Sequence, residues 1–249
     1  MLSPAGIDRN LDALVKANLD DGLCFYQQPI VNSSNFEVVG YEHLVRKHSL
    51  DQVEGAPQVL KQAELFSMTA LLDFCALNQG IKFALSHPYV FHTINVHIST
   101  LCNTAWLDRF CLCIGKLSNN MLIKNMVIEI TETDAVEDIG ELRLASSQLM
   151  KHGMQFGVDD FGDGYACLEI MRNIPIRVVK FSRSALLSLS EKSVCHAYRV
   201  HQSLIHSCIT EGLKVVAEGV ETLEQQAIAL DLGVDCLQGF RYGKPARIL

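Results

Sequence analysis

The chain has 249 residues, of which 49% are hydrophobic and 20% charged, and its formal net charge is −7 at pH 7. This composition is typical of a globular protein with a substantial core, and a barrel of this length commonly forms one domain, so we expect a single domain over residues 1–249. The acidic balance, without a Lys/Arg-rich block, argues against polymeric nucleic acid as a partner. It still allows a small phosphorylated ligand whose charge a metal ion neutralises.

The N-terminal stretch MLSPAGIDRNLDALVK lacks the apolar segment of a signal peptide, and no run of the chain approaches 18 consecutive apolar residues. The chain has nine cysteines, an odd number, and none of them forms a Cys-x-x-Cys pair. Scattered cysteines of this kind indicate reduced thiols more than a disulfide framework. We therefore expect a cytoplasmic protein that does not associate with a membrane.

Short β-rich runs alternate with helical patterns along almost the whole chain. The predicted strands cover residues 23–31, 37–46, 90–96, 126–130, 154–159, 176–180, 213–217 and 234–238. The predicted helices cover residues 57–84, 99–116, 139–152, 165–173, 184–211 and 221–231. Strands that alternate with helices predict parallel βαβ units.

The first two strands are the exception, because only the hairpin-sized turn NSSN (32–35) joins them. A parallel crossover needs about a dozen residues, so this pair is predicted to be antiparallel. The predicted fold class is α/β, a modified (β/α)8 TIM-type barrel with an antiparallel first strand pair. A doubly wound open sheet is the alternative, but no Gly-x-Gly-x-x-Gly follows the first strand.

Polar residues stand at the carboxyl end of nearly every predicted strand, where barrel enzymes place their chemistry. These residues are Asn95, Glu129, Asp159, Asp160, Lys180, Glu218 and Gln238, together with Glu42 inside the second strand. Carboxylate and amide oxygens suit hard cations such as Mg²⁺ or Mn²⁺. Two such cations can share one bridging carboxylate and activate a water for attack on a phosphodiester.

Each of these residues also has an ordinary structural explanation when taken alone. The Asp159–Asp160 pair could form a turn or a helix cap, and Glu129 with Glu132 could begin a helix through a capping box. Asn95 could be a loop residue and Lys180 a solvated strand end. Their joint occurrence at one rim favours a site. A zinc site among the Cys and His residues of 195–208 is disfavoured, because their spacing does not place four ligands on one helix face.

These motifs together resemble the EAL domain, a family of cyclic-di-GMP-specific phosphodiesterases, over essentially the whole chain. The matching segments are QPIV (28–31), VGYEHLVR (39–46), INV (94–96), IEITET (128–133), DDFGDGY (159–165), Lys180, VVAEGVE (215–221) and QGFRYGKP (238–245). The resemblance implies a modified barrel with an antiparallel first strand pair, hydrolysis of cyclic-di-GMP to linear pGpG, and a homodimer.

The resemblance also implies a role for each matching position. The implied ligands of two divalent cations, Mg²⁺ or Mn²⁺, are Glu42, Asn95, Glu129, Asp159, Asp160 and Glu218, with Asp159 as the bridge. Lys180 is implied to contact the attacking water, and Glu218 to be a possible general base. The implied substrate contacts are Gln28, Leu44, Arg46 and Gln238. Glu132 is implied to steady the 160–168 loop, which is tied to dimerisation and activity.

The chain departs from the family pattern at several positions. His43 replaces the middle residue of the Glu-Ala-Leu signature, and strand alternation predicts that it faces the helix layer, away from Glu42. Ser182 stands where the family usually has an aspartate, so a carboxylate near Lys180 is missing. Arg177 replaces a commonly acidic residue, and Asp163 replaces a threonine. These departures leave open a catalytically weak domain that acts as a cyclic-di-GMP sensor or binds a protein partner.

Overall fold

The computed structural model describes residues 22–48, 53–115, 120–130, 139–161, 166–190 and 195–247. The strands are β1 (Leu23–Asn32), β2 (Val38–His48), β3 (Val53–Glu54), β4 (Phe91–Val96), β5 (Met126–Ile130), β6 (Gln155–Phe161), β7 (Val178–Phe181), β8 (Lys214–Ala217), β9 (Cys236–Gln238) and β10 (Ala246–Arg247). The helices are α1 (Ala56–Leu65), α2 (Thr69–Ser86), α3 (Ile98–Leu101), α4 (Thr104–Gly115), α5 (Asn120–Lys124), α6 (Ile139–Lys151), α7 (Ala166–Asn173), α8 (Arg183–Ser190), α9 (Cys195–Thr210) and α10 (Leu223–Asp231).

Eight of the strands form a closed barrel. Strands β2 and β4 to β9 pair in parallel, in chain order, and β1 closes the barrel by pairing antiparallel with both β9 and β2. The predicted barrel and its antiparallel first pair are confirmed, and each predicted strand is present. Two short strands were not predicted: β3 pairs with the end of β2, and β10 pairs with Tyr26 and Gln27 of β1.

Two predicted helices are each divided within the described residues. The predicted helix 184–211 corresponds to α8 and α9, and residues 191–194 between them lie outside the described residues. The predicted helix 57–84 is wrong as a single element, because α1 ends at Leu65 and Ser67 adopts a left-handed φ of 55°. The Met68 N–H then donates to the carbonyl of Ala63, which closes the end of α1. A helix C-terminus of this kind usually has a glycine at the left-handed position, so Ser67 did not indicate in the sequence that the helix ends there. The predicted helix 99–116 is divided by Asn103, whose Oδ1 accepts from two backbone N–H groups at the start of α4.

The barrel interior consists of an apolar layer beneath a polar layer. The apolar layer is made of Ile30, Val127, Val178, Val216 and Cys236, all at most 2% exposed. One step of strand alternation toward the carboxyl ends of the parallel strands brings the next inward side chains: Glu129, Lys180, Glu218 and Gln238. On the antiparallel β1 the same step runs toward the amino end, from Ile30 to Gln28. The apolar layer therefore forms the floor of a polar mouth. No described helix combines the length and the apolar character needed to cross a membrane.

Candidate active site

The barrel mouth collects the predicted rim residues from six different strands. Glu42 lies on β2 and Asn95 on β4, beside its register partner Glu129 on β5. Asp159 lies on β6, Lys180 on β7 and Gln238 on β9, and Glu218 follows β8. Glu42, Glu129, Lys180 and Gln238 are at most 6% exposed. The convergence follows from the parallel strands, which all present their carboxyl ends at the same rim.

Lys180 lies at the centre of four carboxylates. Its Nζ is 2.5 Å from Glu218 Oε1, 3.1 Å from both Glu42 Oε1 and Glu129 Oε2, and 3.7 Å from Asp159 Oδ1. The lysine side chain is 0% exposed. One ammonium can compensate only one of four ionised carboxylates, and burying uncompensated charge is costly. The mouth therefore requires further positive charge or bound protons.

The pKa shifts reflect this excess of negative charge. Burial, the largest influence, raises the pKa of Glu129 to about 8 against the opposing effect of Lys180. Burial likewise holds the pKa of Glu218 well above its usual range. The surrounding carboxylates outweigh the burial of Lys180 and raise its pKa well above its usual value. The lysine therefore stays charged, and part of the carboxylate charge is neutralised by bound protons, which a bound cation would displace.

Two features of the mouth fit a divalent cation. The Nδ2 of Asn95 donates to Glu42 Oε1 at 3.1 Å, which leaves Asn95 Oδ1 buried without a hydrogen-bond partner among the described residues. Oxygens of Glu42, Asp159 and Glu218 lie within 4.8 Å of one another. A donor set made entirely of oxygen is the one that Mg²⁺ and Mn²⁺ prefer. The residues present can therefore hold a hard divalent cation.

Asp159 and Asp160 occupy an irregular part of β6, where the pairing register shifts between Val158 and Phe161. Asp160 adopts a left-handed φ of 52°, and its N–H donates to Asp159 Oδ1 at 2.9 Å. A left-handed non-glycine residue costs of order 1 kcal/mol, least for Asn and Asp. The side chain of Asp160 is exposed, outside the close group of Glu42, Asp159 and Glu218. Its assignment to a second cation stays a prediction.

Three of the four predicted substrate contacts lie on the first strand pair, and the fourth, Gln238, lies on β9. Gln28 is the register partner of Glu42 and is 8% exposed. Leu44 and Arg46 follow Glu42 on the same face of β2 and are half-buried. Sequence reasoning missed Tyr26, which pairs with Leu44 and whose ring centroid lies 5.8 Å from the Arg46 guanidinium. Tyr26 precedes Gln28 by two residues and therefore lies on the same face of β1, and this spacing is the signal in the sequence that could have identified it.

The rear face of β2 carries His43, whose predicted orientation is confirmed. Its ring lies 5.5 Å, centroid to centroid, from that of Phe83 on α2, and its Nε2 is 3.3 Å from His92 Nδ1. Because His92 Nε2 is 3.0 Å from the carbonyl of His87, which can only accept, His92 Nδ1 must accept from His43. Burial lowers the pKa of His43 to about 3. The altered signature residue therefore packs as a neutral side chain away from the carboxylates.

The other departures lie at different places. Ser182 is buried after β7 and begins α8, because its Oγ accepts from the N–H of Ala185 at 3.1 Å. Arg177 precedes β7, at the opposite end of the barrel from the mouth, and donates to the carbonyl of Gly212. Glu132 and Asp163 lie outside the described residues, so the predicted support of the 160–168 loop stays a prediction.

Comparison with known proteins gives a consistent result. Residues 11–245 match the family model of the EAL domain. The chain is 28% identical over 225 residues to the cyclic di-GMP phosphodiesterase PdeL of Escherichia coli, covering 88% of this chain and 61% of that one. It is 26% identical over 218 residues to the cyclic di-GMP phosphodiesterase PdeF of the same organism, covering 85% of this chain and 28% of that one. The chain thus spans less than two thirds of the length of these relatives.

Solved structures show the same architecture. The chain aligns with an EAL domain protein from Listeria monocytogenes at a TM-score of 0.82 and 22% identity, covering 93% of this chain and 92% of that one. It aligns with the MucR phosphodiesterase of Pseudomonas aeruginosa in complex with c-di-GMP at a TM-score of 0.80 and 26% identity, covering 94% and 96%. The family match covers most of the chain, and we conclude that the chain belongs to the EAL domain family.

Proposed function

We propose that this chain is a phosphodiesterase that hydrolyses cyclic-di-GMP to linear pGpG with two divalent cations, Mg²⁺ or Mn²⁺. The observation that carries the proposal is the buried mouth in which four carboxylates surround the single ammonium of Lys180. Such an excess of negative charge is stable when cations occupy it. The relatives named cyclic di-GMP phosphodiesterases and the MucR complex with c-di-GMP support this substrate.

The residues divide into those that would hold the cations and those that would act on the attacking water. Glu42, Asn95, Glu129 and Asp159 would hold the first cation, and Asp159, Asp160 and Glu218 the second. When bound, the cations supply an activated water and neutralise the charge of the phosphodiester. Lys180, within 2.5 Å of Glu218, would donate to the attacking water and fix its direction. Glu218 would accept the proton if the cations leave one to be removed.

The first strand pair supplies chemistry suited to a dinucleotide. Arg46 brings a positive charge, and its guanidinium, whose Nη1 donates to the carbonyl of Val45, has the donor geometry that suits phosphate. Tyr26 offers a flat aromatic ring beside Leu44, a surface that suits a stacked guanine. We propose these three residues as the contact region for the substrate outside the cation cage.

A turnover assay tests the proposal. Purified protein is incubated with cyclic-di-GMP and Mn²⁺, and pGpG is followed by chromatography. We expect turnover that Glu42→Ala and Asp159→Ala abolish, because each removes a carboxylate of the cage. The matched control is Glu64→Ala, which removes an exposed carboxylate of α1 and should keep the wild-type rate. A wild-type rate no higher than that of Glu42→Ala contradicts the proposal.

A second candidate function is a weakly catalytic domain that senses cyclic-di-GMP or binds a protein partner. It is favoured by Ser182, which places a hydroxyl where the family usually has a carboxylate near Lys180. Calorimetry with cyclic-di-GMP separates the cases, since tight binding without hydrolysis indicates a sensor and no binding indicates a protein-interaction role. For either function we propose a cytoplasmic homodimer.

A further inference from the structure

Glu42 is held by a hydrogen bond from outside the cation cage. Its Oε2 accepts from Gln238 Nε2 at 2.5 Å, while its Oε1 faces Lys180 and Asn95. The same Nε2 of Gln238 lies 3.3 Å from Gln28 Oε1. Gln28 Nε2 in turn donates to the carbonyl of Gly243 at 3.0 Å. Four residues thus form one continuous chain of hydrogen bonds that ends on the signature carboxylate.

The direction of this chain is fixed by its two ends. The carbonyl of Gly243 can only accept, so Gln28 must turn its Nε2 toward Gly243 and its Oε1 toward Gln238. An ionised Glu42 can also only accept, so Gln238 must present its Nε2 to both Glu42 and Gln28. Neither amide can flip without breaking a hydrogen bond at a site where both side chains are at most 8% exposed. The buried chain therefore holds Glu42 in one orientation.

The far end of the chain is itself anchored. A Cβ on Gly243 would lie 2.7 Å from Pro29 Cγ, so the absence of a side chain lets the carbonyl of Gly243 approach β1. The preceding residues are tied to α10, because Gln226 Oε1 accepts from Arg241 Nε at 2.6 Å and from the Tyr242 hydroxyl at 2.9 Å. The segment after β9 is thus a fixed support, and Gln28 connects it to the mouth.

We propose that Gln28 is a positioning residue that acts through Gln238 to aim Glu42 Oε1 at the first cation. The cation-binding step rests on the proposed function, but the hydrogen-bond chain does not require turnover. Groups that orient a metal ligand typically change metal affinity by about 10- to 100-fold when removed. Gln28 contacts Gln238 and reaches Glu42 only through it, so we expect a change in metal affinity near the lower end of this range.

The test is Mn²⁺ binding without substrate, measured by electron paramagnetic resonance of free Mn²⁺. In Gln28→Met, which keeps the length but removes both hydrogen bonds, we expect Mn²⁺ affinity to fall about tenfold. The matched control is Gln27→Met. Gln27 is the register partner of His43 and faces the helix layer, so its replacement should leave Mn²⁺ affinity unchanged. Affinity in Gln28→Met within twofold of wild type overturns the proposal, whatever happens to KM.

A second variant keeps both glutamines in place. Gly243→Ala should push the carbonyl away from β1 and lower Mn²⁺ affinity in the same direction as Gln28→Met, and unchanged affinity contradicts the chain of hydrogen bonds. Circular dichroism confirms that each variant is folded. Because the readout is Mn²⁺ binding, a wild-type protein without turnover would refute the proposed function while leaving this inference intact.

Discussion

Glu42 in the barrel mouth and Asp73 on α2 are almost equally buried, at 6% and 4% exposure, yet their pKa values move in opposite directions. For Glu42, burial pushes the pKa upward, but the ammonium of Lys180 and the hydrogen bonds from Gln238 and Asn95 together lower it. For Asp73, burial raises the pKa to about 7, and the bonds from Thr100 and the His97 N–H do not offset it.

The comparison shows that burial alone does not determine the state of a carboxyl group. Asp73 accepts from the His97 N–H at 3.0 Å and holds the start of α3, a structural task that a protonated carboxyl also performs. Glu42 lies beside the buried ammonium of Lys180, which keeps the carboxylate ionised. The ammonium of Lys180 lowers the pKa of Glu42, which leaves this carboxylate ionised and suited to bind a cation. Burial is the largest influence on the pKa of Asp73, whose carboxyl group supports the start of α3.

The largest expected effect comes from removing the ammonium of Lys180. Lys180→Met leaves four carboxylates, the buried Glu42 and Glu129 among them, without an internal positive charge, and we expect a loss of about 3–5 kcal/mol in the free energy of unfolding when a chelator is present. The loss should shrink in Mn²⁺, because bound cations then supply the missing charge. Urea unfolding with and without Mn²⁺ measures both values. Lys151→Met, which removes an exposed lysine at the end of α6, is the control; a Lys180→Met loss that Mn²⁺ does not reduce contradicts the argument.

A smaller effect is expected from Asp73→Asn, and it depends on pH. Because the pKa of Asp73 is raised in the folded state, the folded protein keeps a proton that the unfolded chain releases. This stabilisation is complete below the unfolded value near 3.8 and is lost as pH rises through about 7. Asparagine has no such proton and keeps an oxygen for the His97 N–H.

The measurement is urea unfolding of both proteins at pH 5.5 and pH 8. Relative to Asp73→Asn, the wild type should lose about 2 kcal/mol over this interval, since each pH unit below the folded pKa contributes about 1.4 kcal/mol. The difference between the two proteins cancels the titration of other groups. Two parallel stability curves would show that Asp73 is not protonated in the folded state at pH 5.5.

The smallest expected effect on stability comes from Ser182→Asp, which places a carboxylate in a third buried setting, at the N-terminus of α8. Aspartate and serine cap helices about equally well, and the helix N-terminus favours a carboxylate, which offsets part of the cost of burying it, so we expect the stability to change by about 1 kcal/mol. Turnover should rise severalfold if the missing carboxylate weakens catalysis. Ser147→Asp adds the same charge at an exposed position of α6 and is the control. An equal rate in Ser182→Asp and the wild type removes the structural reason for the second candidate function.

The barrel could be predicted because its signals are local. Strand alternation, helical spacing and the short turn at 32–35 each lie within a few residues, and the rule for carboxyl ends then placed Glu42, Asn95, Glu129 and Lys180 at one rim. The division of helix 57–84 could not be predicted, since Ser67 adopts a conformation that usually calls for glycine.

The remaining features of the site depend on contacts between distant residues. The hydrogen bond between Gln28 and Gln238 joins residues 210 positions apart, and no spacing in the sequence signals it. The central position of Lys180 among four carboxylates likewise depends on barrel closure. The left-handed φ of Asp160 depends on the register shift in β6. Such features follow from tertiary packing more than from local preference.

For the proposed hydrolysis, the apolar floor formed by Ile30, Val127, Val178, Val216 and Cys236 has a kinetic consequence. Because the floor closes one end of the barrel, the mouth has a single opening, so the product must leave by the route through which the next substrate molecule enters. Product and substrate then compete for the same barrel mouth, and accumulating product should slow the reaction as a competitive inhibitor.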